Sequence, residues 1–95
     1  MSRREGNRLL LDGVLTVDTV ARVLEETSPQ DRAAAEVVDL AGVTEVDSAA
    51  VALALAWLRA AQASGLRLGF DRLPPAMVNL ARLYGVDGLI PRAPR

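Results

Sequence analysis

The apolar positions of the chain fall into blocks whose spacing alternates between two residues and nearly four. Leu9-Leu10-Leu11 reads as a first strand, Asp12-Gly13 as a turn, and Val14-Leu15 as a second short strand, the two forming an edge hairpin. From Val17 to Thr27 the period becomes helical. Val17, Val20, Val23, Leu24 and Thr27 share one stripe, Glu25 and Glu26 form the solvated side, and Thr16 stands where a cap is needed. Ser28 to Arg32, with Pro29, reads as a loop. Val37, Val38 and Leu40 make a short apolar run interrupted only by Asp39, which suits a buried central strand. Ala41 to Val46, with Gly42, reads as a turn.

A long apolar helix is predicted from Ser48 to about Ser64, with Gly65 as its stop. At 100° per residue, Leu53, Ala54, Trp57, Leu58, Ala60 and Ala61 share one half of it. Arg59 and Gln62 mark the wetter side, with Val51 and Leu55 beside them. Leu66 to Phe70 alternates as a further strand, and Pro75 opens a helix to about Tyr84 with Met77, Leu80, Ala81 and Tyr84 on its apolar stripe. Gly85 ends it, and Val86, Leu89 and Ile90 form a last turn that packs down. Residues 1–7 and 91–95 carry no pattern and are expected to be frayed ends. Alternating strands and helices imply an α/β fold: a small mixed sheet covered by three to four helices, in one domain over 1–95 with about 8–91 structured.

Composition narrows the chemistry. Half of the 95 residues are hydrophobic, but Trp57, Phe70 and Tyr84 are the only aromatics, so the core must be aliphatic. Eleven arginines against twelve acidic residues leave a net charge of −1 and no concentrated basic surface for nucleic acid. Cysteine and histidine are both absent, which removes disulfides, thiol nucleophiles and imidazole acid–base chemistry. A zinc site would need carboxylates alone. Asp39, Glu45, Asp47 and Asp71 stand near the carboxyl ends of strands, but no nucleophile, base and orienting group accompany them. No phosphate-cradling glycine loop occurs. The reading is a non-enzymatic protein with no cofactor and no metal. The longest apolar run, Ala49 to Leu58, is ten residues, about half a membrane span, and the polar start has no signal-peptide pattern. The expected location is the cytoplasm, with contact to a membrane only through a partner.

The stretch Glu36 to Leu58 carries the most specific signal. Asp47-Ser48 opens the long helix just past the end of a strand, which places one hydroxyl at the positive end of a helix dipole. The order VVDL-x-GV-x-x-VDS-x-x-V followed by an Ala/Leu helix resembles the STAS domain family (sulfate transporter and anti-sigma factor antagonist). The C-terminal third, with Leu73-Pro74, Leu80-Ala81 and Leu83-Tyr84-Gly85-Val86, is similar to small bacterial STAS proteins of the Mla lipid-transport system. The resemblance implies a STAS fold, with Asp47 as the family's acidic residue and Ser48 as its phosphoacceptor or partner contact. Asp47, Ala49, Ala50, Val51, Ala52 and Leu55 would then form a partner interface. The partner implied first is the ATPase of an ABC-type phospholipid transporter that maintains outer-membrane lipid asymmetry, with this chain at the inner membrane as a regulatory and assembly subunit. The alternative is a kinase-type anti-sigma factor, with this chain as its antagonist.

Overall fold

The computed structural model describes residues 2–93, in the order β1 (Ser2–Glu5), β2 (Arg8–Leu15), α1 (Val20–Glu26), α2 (Pro29–Ala34), β3 (Val37–Val46), α3 (Ser48–Ala63), β4 (Gly69–Asp71), α4 (Pro75–Leu83) and a 3-10 turn at Asp87–Leu89. The strands form one mixed sheet in the order β1-β2-β3-β4. β1 pairs antiparallel with β2, and β3 runs parallel to both β2 and β4. Parallel neighbours need crossover connections, and the helices supply them: α1 and α2 lead from β2 to β3, and α3 leads from β3 to β4. This is the α/β architecture, with a small mixed sheet and four helices, that the alternation of periods implies.

Register explains the core. Leu9 lies opposite Val38 and Val38 opposite Phe70, so three buried side chains form a ridge across the sheet. Leu11 and Leu40 extend it two residues along, on the same face. Against them pack Ala50, Leu53, Ala54, Trp57 and Leu58 of α3, Val23 of α1, and Met77 and Ala81 of α4, in one hydrophobic cluster. Each large aliphatic side chain buried there contributes roughly 1.5–3 kcal/mol. Both long helices end where the glycines predict. In α3, Gly65 adopts φ +70° and donates its N–H to Gln62, while Leu66 donates to Ala61, a paired arrangement that satisfies the last carbonyls. Gly85 and Val86 close α4 on Arg82 and Ala81 in the same way.

Several local expectations need correction. The hairpin exists, but one strand earlier: 2–5 is strand rather than frayed end, the turn is Gly6-Asn7, and 8–15 is one strand through Asp12-Gly13. β1 has no apolar alternation to read. It is set by its ladder to β2, by the 3.0 Å contact of the Ser2 and Thr27 hydroxyls, and by the 2.8 Å Arg4–Asp31 ion pair. Ser28 to Arg32 is not a loop; Ser28 accepts from the N–H of Asp31 and Pro29 sits at the first helical position, where its missing N–H costs nothing. Helix α1 starts at Val20 instead of Val17, and Thr19 spends its hydroxyl on the Val14 carbonyl at 2.7 Å. The fourth strand is Gly69–Asp71 and not Leu66 to Phe70. At the C-terminus Phe70 bridges Arg92 and Ala93 is buried, so the expected tail is partly seated; residues 1, 94 and 95 lie outside the described region.

The largest correction concerns residues 41–46, which continue β3 and do not turn. β3 carries one extra residue against β2 between Asp39 and Gly42, and another between Val43 and Glu45. These irregularities bring the two backbones close together at Gly42. A Cβ there would stand 2.9 Å from the Asp12 Cβ and 3.1 Å from the Leu11 carbonyl oxygen. The glycine is required for this approach between strands, since its neighbours are backbone and the Asp12 Cβ fixed to it, which cannot move aside. Gly42→Ala is therefore expected to destabilise the fold by about 1–3 kcal/mol, the usual cost of overpacking. The check is the midpoint of chemical unfolding, with the slope unchanged.

Candidate functional site

β3 delivers the chain to the site. Its last residue, Val46, pairs with Leu15 at the end of β2, so both strands finish at one edge of the sheet. Asp47 follows in extended conformation and caps α3: its Oδ1 accepts from the Ala49 N–H at 2.8 Å. Its Oδ2 accepts from the Val17 N–H at 3.0 Å, in the connection between β2 and α1. One carboxylate thus ties two segments together and points the first turn of α3 outward.

Ser48 is the first helical residue and is exposed. Among the described residues its hydroxyl has no hydrogen-bond partner. Asp47, not Ser48, is the cap, so the serine side chain is left for other use. The exposed face continues through Ala52, Ala56 and Arg59, with Leu55 half-buried beside it. Ala49 is also half-buried. Ala50 and Val51, expected at the partner surface, are corrected to core positions: they are 1% and 3% exposed. Helical spacing turns them toward the sheet with Ala54 and Leu58. Val17 was expected on a buried stripe; it is 70% exposed and stands next to Asp47. It adds an apolar side chain to this edge. The sequence offered no signal for it, because it depends on where the Asp47 carboxylate reaches.

A second charged group lies elsewhere on the sheet. Asp39, 1% exposed, faces away from the Leu9–Val38–Phe70 ridge by strand alternation. Its Oδ2 accepts from Arg8 at 2.8 Å and from Arg72 at 3.0 Å, and its Oδ1 accepts from the Ala41 N–H at 2.9 Å. Arg8 also reaches Asp71 at 2.8 Å. Burial, the largest influence, pushes the Asp39 carboxyl up; the Arg8 hydrogen bond, the Ala41 N–H and the charges of Arg72 and Arg8 together outweigh it and hold the group below the usual carboxylate range. Arg72 is reached at positive φ, 53°, which costs backbone strain in a non-glycine residue. Asp39 and Asp71 are brought together as the sequence allowed, but arginines neutralise them. Their role is structural. The signal for this network was legible: an aspartate inside an apolar strand requires partners.

Among the described residues no three acidic side chains are grouped to hold a metal, and no helix is long and apolar enough to cross a membrane. Leu83, Tyr84 and Leu89 make a further exposed apolar group at the end of α4.

Comparison with known proteins identifies the family and the fold. The sequence matches the family described as "Mlab, STAS domain" over residues 2–91. The fold is similar to that of the anti-sigma factor antagonist SpoIIAA in its unphosphorylated form, with a TM-score of 0.62 and 18% identity, over 87% of this chain and 81% of that one. It is also similar to part of the protein Mglu, with a TM-score of 0.57 and 27% identity, over 79% of this chain but only 19% of the longer one. No curated protein is matched by the sequence.

Two outcomes follow. Asp47→Ala is expected to cost about 1–2 kcal/mol through the lost cap, and to raise hydrogen exchange at Val17 and Ala49 together. Asp47→Asn keeps one acceptor oxygen and should restore protection at Ala49 while Val17 stays fast. For Asp39, a carboxyl held low in the folded state stabilises above its ordinary value and loses that contribution as pH falls through the folded value. Thermal stability should therefore fall on acidification from about pH 5 downward, and Asp39→Asn should be less stable at neutral pH yet flatter over that range.

Proposed function

Because the chain belongs to the MlaB-type STAS domain family, we propose that it is a non-enzymatic regulatory and assembly subunit. Its partner is the ATPase of an ABC-type phospholipid transporter, and the chain acts in the cytoplasm at the inner membrane. The observation that carries the reading is the Ser48 edge: an exposed hydroxyl with no partner among the described residues, at the mouth of a sixteen-residue helix. Asp47 holds that helix in place from two directions. A hydroxyl can both donate to and accept from a partner. Ala52 and Ala56 let a partner backbone approach closely, and Val17 and Leu55 supply apolar contact.

The same edge supports a switch. Phosphorylation would add about −1.5 to −2 charges at Ser48. The helix terminus favours an anion locally, so the fold would tolerate it. Asp47 and the exposed Glu45 are like-charged neighbours, and a partner packed over the site would be repelled. The likeness to SpoIIAA favours a second reading, an anti-sigma factor antagonist that uses Ser48 in the same way. The two readings differ in the protein that binds.

Ser48→Glu is expected to leave the melting temperature within a few degrees of the wild type and to abolish capture of the transporter ATPase from a native bacterial extract. Unchanged capture removes Ser48 from the interface. Recovery of a histidine-kinase-like anti-sigma factor in place of the ATPase, with a phosphate added at Ser48 on incubation with ATP, would establish the second reading.

A further inference from the structure

Four of the six large apolar side chains that stand exposed among the described residues lie at one end of the molecule, the end away from Ser48. They are Leu66, Leu83, Tyr84 and Leu89, and three segments bring them there. α3 runs from Ser48 against the direction of β3, and Leu66 follows it just before β4 begins at Gly69. α4, packed on α3, finishes at Leu83 and Tyr84. Leu89 stands in the 3-10 turn that follows, before Pro91 returns to accept from the Phe70 N–H at 2.8 Å. Residues 64–68 and 84–90 therefore both border the start of β4.

Two features separate this group from leucines scattered singly over a surface. The side chains project and do not form walls: Leu83 is 77% exposed and Leu89 60%, and neither lines the hollows beside Trp57 and Phe70. The group is also fringed with positive charge. Arg67 is exposed and makes no ion pair among the described residues. Arg82, exposed in the last turn of α4, is 3.8 Å from Asp87, a carboxylate that Arg92 already engages at 3.0 Å. The other carboxylates of this end are turned elsewhere: Glu36 accepts from Asn7, and Glu5 from Arg3. The Ser48 end has the opposite sign, with Asp18, Glu45 and Asp47 in connections that contain no arginine.

We propose that the end carrying Leu66, Leu83, Tyr84 and Leu89 docks directly on a bilayer of anionic phospholipids, in addition to any contact made through a partner. The leucines would enter the boundary between headgroups and acyl chains, and Arg67 and Arg82 would meet lipid phosphates. Tyr84 has an apolar ring and a polar tip, which suits headgroup depth. Charge and shape select this occupant. A second copy in a two-fold contact would set Arg67 and Arg82 against their own images. A folded partner would need hollows matched to side chains projecting from three segments, whereas a bilayer yields around them. Docked in this way, the chain leaves the acidic Ser48 edge facing away from the membrane, so the proposal does not depend on which protein binds there.

Co-sedimentation of the intact protein with vesicles tests the proposal, comparing phosphatidylcholine alone with phosphatidylcholine containing about one-third phosphatidylglycerol. Saturable binding is expected to the anionic vesicles, at least about fivefold tighter than to the neutral ones and weakened by added salt. Arg67→Glu should weaken it about fivefold or more. Leu83→Ser combined with Leu89→Ser, two surface changes that leave the circular dichroism intact, should weaken it about tenfold or more. Sedimentation velocity of the protein alone is run beside it, and a monomer is expected. Absence of binding to anionic vesicles, equal binding to neutral ones, or a double leucine variant that binds like the wild type would each overturn the proposal. So would a wild-type dimer that the double variant dissolves, since the surface would then belong to a second copy.

Discussion

A carboxylate buried in the central strand has to be neutralised, and the sheet is assembled around that requirement. Asp39 sits in β3 with almost no solvent contact, and removing an unpaired charge from water would cost more than the whole fold gains. Arg8 comes from β2, while Asp71 and Arg72 come from the end of β4. The charges alternate in sign, and together they span three strands. That arrangement works only with β3 in the middle and with β2 and β4 in the observed register. Slipping β2 by one residue against β3 would turn Arg8 to the face of Val38 and Leu9 away from it, and the carboxylate would lose that partner. The apolar ridge on the other face supplies most of the stabilisation. The ionic cluster selects one arrangement of the ridge.

The Ser48 edge follows from the same strand. Because β3 is fixed in the sheet and runs on to Val46, its end lies beside the end of β2, and Asp47 can reach the Val17 N–H while capping α3. The helix then leaves from a defined point, and its outer face is the one left over once Ala50, Leu53, Ala54, Trp57 and Leu58 are buried. Small residues on that face are consistent with a surface built for close approach. A hollow at the opposite end of α3 also has a local origin. Ala60 and Ala61 of that end, Ala33 of α2 and Ala35 just after it line the hollow beside Trp57. One helix therefore joins two features with different chemistry.

Strain and close contact are concentrated where the sheet is tied together. Gly42 permits the backbones of β2 and β3 to approach, and Arg72 accepts a positive φ so that its guanidinium reaches Asp39. A residue keeps such a conformation only when its surroundings hold it there, and here the ion pair does so.

The sequence by itself determined the helices with clear ends, the strand Val37–Leu40, and the placing of Asp47-Ser48 at a helix mouth. These rest on local chemistry: side-chain period, capping oxygens, and glycine at the point where a helix must stop. It also determined the family resemblance, which resides in a short ordered motif. Tertiary structure decided the rest. Ser2–Glu5 is a strand because β2 offers it an edge, 41–46 is a strand because β2 continues beside it, and neither shows in its own apolar pattern. Ala50 and Val51 are buried because the sheet lies on their side of α3, which a helical wheel without a neighbour could not tell. Local rules act within about one helical turn or one hairpin, whereas burial and pairing depend on residues thirty or more positions away, as the Arg8–Asp39 and Val17–Asp47 contacts show.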